Sequence, residues 1–299
     1  MTSAYVLSQV INGLILGSMY ALIAIGFSMI YGIVQLINFA HGDIFAIGAF
    51  VTLACIAGLH LPFPLTVPVV LLTGAAVGVA IERLAFRPMR GAPQVTGFIA
   101  SLAVAIMLEN AAVITITAQP RTFLVPEALN LLVPFGGGVA ARMIDIAIVA
   151  LSLALMAALV VFVRFSRLGM AMRATAENYD VARLMGIQID RTIATAFAIG
   201  SGLAAAAGLM WGAKYGQISP LMGLVPGLKA FVAAVIGGVG SISGAMLGGY
   251  VLGLAEVLFV GLLPPEYSGY RNAFVFGMLI LVLLVAPNGL LGRSTETRG

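Results

Sequence analysis

Charge is what this sequence has least of: Asp, Glu, Lys and Arg make up 9% of its 299 residues, against about 25% in soluble domains. A water-soluble fold needs a charged surface, and this composition cannot supply one. Cysteine and histidine are nearly absent as well. The single Cys55 excludes an intramolecular disulfide. With only His41 and His60 beside it, a Cys/His zinc site lacks ligands. The only lysines, Lys214 and Lys229, follow Ala213 and Leu228. A phosphate-cradling P-loop needs Gly-Lys-Ser/Thr, so ATP cannot bind here by that motif. No His-Glu-x-x-His pair or nucleophile with a base supports an intramembrane enzyme, and no chain of ionisable groups suggests a proton relay.

What the sequence has is apolar length. Hydrophobic residues reach 61%, and several runs of 18 or more residues carry few or no charges, enough to cross a hydrocarbon core of about 30 Å. The expectation is an all-α polytopic membrane protein, a single transmembrane domain over 1–299. About eight spans are placed near 5–33, 35–58, 62–82, 95–117, 143–163, 192–213, 242–262 and 271–290. The N-terminus lacks a basic segment and a small-residue cleavage site, so the first span is expected to be retained. Residues 118–142, with Pro120, Pro126, Pro134 and Gly136-Gly137-Gly138, read as an irregular external loop.

Arginine sets the orientation. Arg83, Arg87 and Arg90, then Arg164, Arg167, Arg173, Arg183 and Arg191, then Arg293 and Arg298 are ten of the fifteen basic residues. By the positive-inside rule their three segments, the C-terminus included, are cytoplasmic. The net charge of +4 thus speaks to topology and not to nucleic acid. The count of spans closes only if residues 227–262 cross twice or dip and return. We therefore expect a re-entrant half-helix at 227–239, entering from outside and ending at the Gly237-Gly238-Val239-Gly240 break. The Asn38–Asp43 interruption echoes it in the other half, as in an internal repeat. Gly240, Gly244 and Gly248, spaced by four, form a smooth stripe. It suits either a subunit or pore seam or packing within the chain.

The segment 164–191 has helical spacing. Met170, Ala174, Val181, Leu184 and Met185 are apolar, Arg173, Glu177, Asp180 and Arg183 polar, and Gly169 and Gly186 bracket one short helix. An interfacial helix would be basic without acidic partners; the mixed charge favours docking on a protein. Inside the spans, Asn38, His41 and Asp43 either line a path or cap the helix break. Ser101, Glu109 and Asn110 form a polar stripe, along a path or in interhelical hydrogen bonds. Glu256 either snorkels or pairs, and Trp211 reads as an interfacial anchor.

These runs together resemble the membrane permease of the branched-chain amino-acid ABC importer family. The resemblance lies in SMYALIAIGFSMIYGI at 18–33, INFAHGD at 37–43, ERLAFRPMR at 82–90, the 169–191 segment, LKAFVAAVIGGVGSISGAMLGG at 228–249 and LVAPNGLLGR at 284–293. The family often has Glu where Asp43 stands. The chain resembles the shorter of the family's two permease types. That implies a second, longer permease, two cytoplasmic ATP-binding subunits, a periplasmic substrate-binding protein, lipid around it and an inner-membrane location. It also implies alternating access, with 164–191 as the ATPase-coupling helix (Arg173, Ala174, Glu177, Asn178, Asp180, Arg183, Gly186). ATP and Mg would sit in the partner ATPases, leaving this chain without a cofactor. Branched-chain or other apolar amino acids are the expected cargo. Urea or short amides are the alternative, and a stand-alone secondary transporter or channel is the rival class.

Overall fold

In hydrocarbon a backbone must satisfy its own polar groups, which leaves an apolar chain little choice but helices. The computed structural model describes residues 3–116, 118–136 and 139–292 and bears this out. The helices are α1 (Ser3–Val34), α2 (His41–Ala57), α3 (Phe63–Ile81), α4 (Gln94–Thr115), α5 (Met143–Phe165), α6 (Arg167–Glu177), α7 (Tyr179–Leu184), α8 (Ile189–Tyr215), α9 (Leu224–Gly237), α10 (Ile242–Leu262) and α11 (Arg271–Val285). A π-helical turn, Glu82–Phe86, and a 3-10 turn, Arg87–Met89, prolong α3. Eight helical stretches among the described residues are long and apolar enough to span a bilayer, and α2 is a shorter apolar helix. The protein is an all-α polytopic membrane protein.

α1 is the axis of the bundle. Its most apolar stretch is 94% buried, and it carries no charge. α10 runs antiparallel along it, with Gly13 against Leu254, Gly17 against Tyr250 and Gly249 against the backbone of Ala21. α8 packs on α1, α2 and α3, where Gly200 meets Gly26, Gly208 meets Phe45 and Gly78 meets Ser201. Small residues at these crossings let backbones touch. The glycine stripes therefore pack within the chain. Gly244 and Gly248 lie on Gly237 and Ala233 of α9, and Gly249 and Gly253 lie on α1. α4 and α11 stand at the periphery, with most side chains turned away from the bundle.

The expected half-helix is α9, which starts at Leu224 rather than 227. Its 14 residues reach about 21 Å at about 1.5 Å per residue; the preceding turn, Pro220–Gly223, completes an 18-residue apolar run. Gly238 (φ +106) and Gly240 (φ +86) supply the left-handed turn into α10. Ser241 caps α10 by accepting from Gly244 N at 3.1 Å, and Ser28 of α1 accepts from Gly240 N at 2.9 Å. The chain returns here after α11. Leu290 N and Leu291 N donate to the carbonyls of Ile236 and Gly237, at 2.8 and 2.9 Å. The PNGLLG run thus caps the C-terminal end of α9, filling carbonyls a helix end leaves open.

Three expectations change. The 35–58 span begins only at His41, because residues 35–40 are non-helical, with Gln35 at φ +55. The 118–142 loop is ordered by strand pairing: β1 (Arg121–Thr122) pairs with β4 (Gln217–Ile218), and β2 (Leu132–Gly136) with β3 (Val139–Arg142). The single helix of 169–186 is two, because Asn178 adopts extended backbone (φ −156, ψ 113) and caps α7 by accepting from Val181 N at 3.0 Å. Gly169 lies in the first turn of α6, against the backbone of Val163, and only Gly186 (φ +80) marks a turn.

The two ends of the bundle differ in charge chemistry. At one, β1–β4 joins the 118–142 loop to the end of α8, Arg142 Nη2 donates to Lys214 O at 2.9 Å and Lys214 Nζ to Asp145 at 2.7 Å. At the other, Arg90 bridges Glu82 and Asp190, and Arg87 also bonds Asp190. Two arginine-rich segments therefore share one end, as the charge rule requires. Arg293 and Arg298 lie outside the described residues.

Candidate functional site

The break between α1 and α2 gathers Asn38, His41 and Asp43. Backbone bonds hold it: His41 N donates to Asn38 O at 3.2 Å and Asp43 N to Ala40 O at 3.1 Å. The side chains do not cap it; the N-cap is Ala40, and no side chain bonds there. Asn38 and His41 are buried, and their side-chain nitrogens and the Asn38 Oδ1 lack well-formed hydrogen bonds; the imidazole lies near the backbone of Ile23, against Gly26 and edge-on to the Phe27 ring. They border a cavity of about 20 Å³ with Phe27, Gly42, Leu224 and Phe231, room for a single water.

A larger cavity, about 230 Å³, runs between α2 and α4. Asp43 and Glu109 flank it, and its other walls are apolar, among them Phe50, Val51, Ile116 and Pro220. Asp43 is 5% exposed; Glu109 is half-buried. The rest of the polar stripe turns elsewhere. Ser101 is buried and donates to Phe98 O at 2.8 Å, while Asn110 is exposed and donates to Ile106 O at 2.7 Å. Both bond their own helix rather than a neighbour.

A third cluster answers a choice the sequence left open for Glu256, and its partners were not foreseen. Glu256 of α10, 0% exposed, accepts from Lys229 Nζ of α9 at 2.6 Å and from Arg271 Nε at the start of α11. Glu256 pairs, then, and does not snorkel. The signal was available: a lysine and a glutamate within apolar runs must find each other or water. Trp211, near the end of α8, is half-buried, its ring 5.7 Å from that of Phe45 and 4.4 Å from Tyr215.

At the arginine-rich end, α6 presents Gly169, Met172 and Thr175 to the bundle, and α7 presents Ala182. The apolar residues picked out by spacing face the other way: Met170, Val181, Leu184 and Met185 are exposed, the last two by 86% and 79%. Arg173, Glu177, Asp180 and Arg183 are exposed beside them and Ala174 is half-buried. Arg173 donates to Arg164 O at 3.3 Å. A groove of about 620 Å³ opens next to α7, lined by Glu82, Arg83, Arg87, Arg183, Asp190 and Arg191 among others.

A bundle of this kind, with an exposed apolar tip at one end, suits a transport component, and comparison with known families decides which. The family described as the permease component of branched-chain amino acid transport systems matches residues 9–283. The chain belongs to that family. It is 42% identical over 301 residues to the high-affinity branched-chain amino acid transport permease LivH of Salmonella typhimurium strain LT2, covering 97% of this chain and 96% of the relative. LivH of Escherichia coli K12 shows the same identity and coverage. BraD of Pseudomonas aeruginosa, a permease of the same description, is 40% identical over 299 residues, 96% of each chain. No solved structure matches.

Membership in the branched-chain amino acid permease family makes the chain a permease subunit of an importer and a multi-pass membrane protein. The family runs quoted above have physical counterparts here. ERLAFRPMR makes the Glu82–Arg90–Asp190 network, IGGVGSISG makes the turn held by Ser28, and APNGLLG caps α9.

Proposed function

We propose that this chain is one of two permeases in an ATP-driven, binding-protein-dependent importer of branched-chain or other apolar amino acids, working by alternating access in the bacterial inner membrane. The C-terminus is cytoplasmic in this reading, and residues 164–191 couple to an ATPase subunit. A substrate-binding protein docks on the opposite face, at the 118–142 loop and the strand β4 paired to it. ATP and Mg belong to the ATPases. The observation that carries the reading is the tip of α7. Val181, Leu184 and Met185 stand exposed among charged side chains, which is the composition of an unpartnered protein interface and not of a lipid-facing helix.

Force applied at α7 has three stiff routes into the membrane. Gly169 sits on the backbone of Val163, tying α6 to α5. Ile189 begins α8 three residues after the Gly186 turn. Asp190 is salt-bridged to Arg87 and Arg90 beyond α3. Alternating access then means tilting α5, α8 and the α3–α4 connection together.

The test is purification of the tagged chain from its native membrane with identification of what co-elutes, followed by reconstitution. A second permease and P-loop ATPases should co-elute. Reversing the charge of Arg173 or Glu177 should leave ATP hydrolysis running without import. Transport by the chain alone would replace the importer with a secondary transporter or channel, and fully coupled import in the charge-reversed variants would remove the docking assignment.

A further inference from the structure

Resting on the importer reading above, we infer that the cavity between α2 and α4 is a solute site in which Asp43, helped by Glu109, receives the ammonium group of an apolar amino acid during passage. Asp43 is almost wholly buried, and among the described residues its own backbone N–H bonds the carboxyl but no cationic or hydrogen-donating side chain does; Glu109 is the second carboxylate on the cavity wall. The protein spends its other buried carboxylates differently. Glu82 has Arg90, Asp145 has Lys214 and Glu256 has Lys229 and Arg271. An ionised carboxylate in an apolar cavity is costly unless a cation meets it. The missing cation is the obvious complement.

The shape agrees with the charge. The lining extends along α2 from Asp43 to Ala54, eleven residues, or about 16 Å at about 1.5 Å per residue. Its other end, at Ala54 and Ile116, lies where α2 and α4 run into the loops away from the arginine-rich end. Its deep end is the carboxylate pair. Between them the walls are aliphatic and aromatic. About 230 Å³ falls just below the range of about 300–1,000 Å³ usual for small-molecule sites, which suits a small aliphatic zwitterion. The ammonium goes to the ionised member of the carboxyl pair, the protonated member donates to the solute's own carboxylate, and the side chain lies on the apolar wall. Urea and neutral amides carry no such cation, so the site separates the two cargo classes left open by the sequence.

The experiment uses the assembled importer in proteoliposomes, with its partner permease, ATPases and binding protein. The chain carries Cys55→Ala and Ala46→Cys, the new thiol lining the cavity. A methanethiosulfonate bearing a trimethylammonium group should label it roughly tenfold faster than the sulfonate-bearing reagent, since opposite charge raises encounter rates. Leucine should slow the labelling by roughly tenfold, the mark of about 1.4 kcal/mol of preferential occupancy. Isocaproate, which is leucine without its ammonium, should not. Adding Asp43→Asn should abolish both the charge preference and the protection, and Asp43→Glu should restore them. Glu109→Gln, on the more exposed wall, should weaken both and serves if Asp43→Asn fails to assemble. Equal rates for the two reagents, equal protection by isocaproate, or a thiol left inaccessible because a partner helix or lipid fills the cavity would each overturn the proposal. Leucine uptake by the unmodified complex is measured in parallel. Its absence sinks the importer reading, whereas its presence with any of those labelling results sinks only the site.

Discussion

Replacing Glu256 with Gln should be among the most damaging conservative changes in this protein. The side chain is fully buried and holds two cations, Lys229 at 5% side-chain exposure and Arg271 at 38%. Glutamine keeps the shape and removes the charge, leaving Lys229 and Arg271 facing one another across a buried site. Removing one partner of a buried pair costs about 3–5 kcal/mol, because the remaining charge is stranded. Lys229→Met is milder, since Glu256 keeps Arg271 and loses one charge-assisted hydrogen bond, about 1.5–3 kcal/mol. The double variant leaves Arg271 partly exposed and still hydrogen-bonded to Tyr215, so it should recover about 2 kcal/mol relative to Glu256→Gln. The assay is denaturant unfolding in mixed micelles, followed by the fluorescence of Trp211, the sole tryptophan, which is packed on Phe45 and Tyr215. A loss below about 1 kcal/mol for Glu256→Gln, or a double variant no better than the single, would refute the reasoning.

Other outcomes follow from the packing. Gly249→Ala drives a methyl into the backbone of Ala21 and should cost about 1–3 kcal/mol in the same assay. Gly277→Ala, which meets nothing within 4 Å, should be neutral or stabilising by up to about 1 kcal/mol. Arg90→Ala should lower the yield of folded protein more than Arg87→Ala, because Arg90 alone reaches the buried Glu82 as well as Asp190. Leu184→Asp should leave the purified chain as stable as before while removing ATPase subunits from the pull-down; their retention would count against α7 as the docking tip. Ser28→Ala should lose about 1 kcal/mol through the unsatisfied Gly240 N–H.

Fold class and most spans were legible because apolar length is a one-dimensional signal, and so was α9, since the glycine break and the arginine count both demanded it. What could not be read was pairing. The partner of Glu256 was not readable, because its meeting with Lys229 depends on the antiparallel fit of α9 and α10. Sequence gives Trp211 a depth but not its neighbours, so its packing on Phe45 and Tyr215 was not readable. The 118–142 loop looked irregular since the partner of β1 lies in residues 217–218, far along the chain. For the candidate site, the residues around the α1–α2 break were singled out in the sequence as a group. The geometry then divided them: Asp43 and Glu109 share a cavity, Asn38 and His41 border a smaller one, and Ser101 and Asn110 bond their own helix.

The burial of α1 has a consequence for biogenesis. The helix leaves the ribosome before α8, α9 and α10, the neighbours that will surround it, so it must wait in lipid as a solitary span. Its freedom from charge makes that wait tolerable, since insertion and helix association are separable stages. Order of synthesis and order of assembly therefore run in opposite senses. A bulky residue at Gly17 or Ala21 should not stop the chain entering the membrane. It should leave an inserted, unclosed bundle whose earliest segment stays open to proteases after translation has ended.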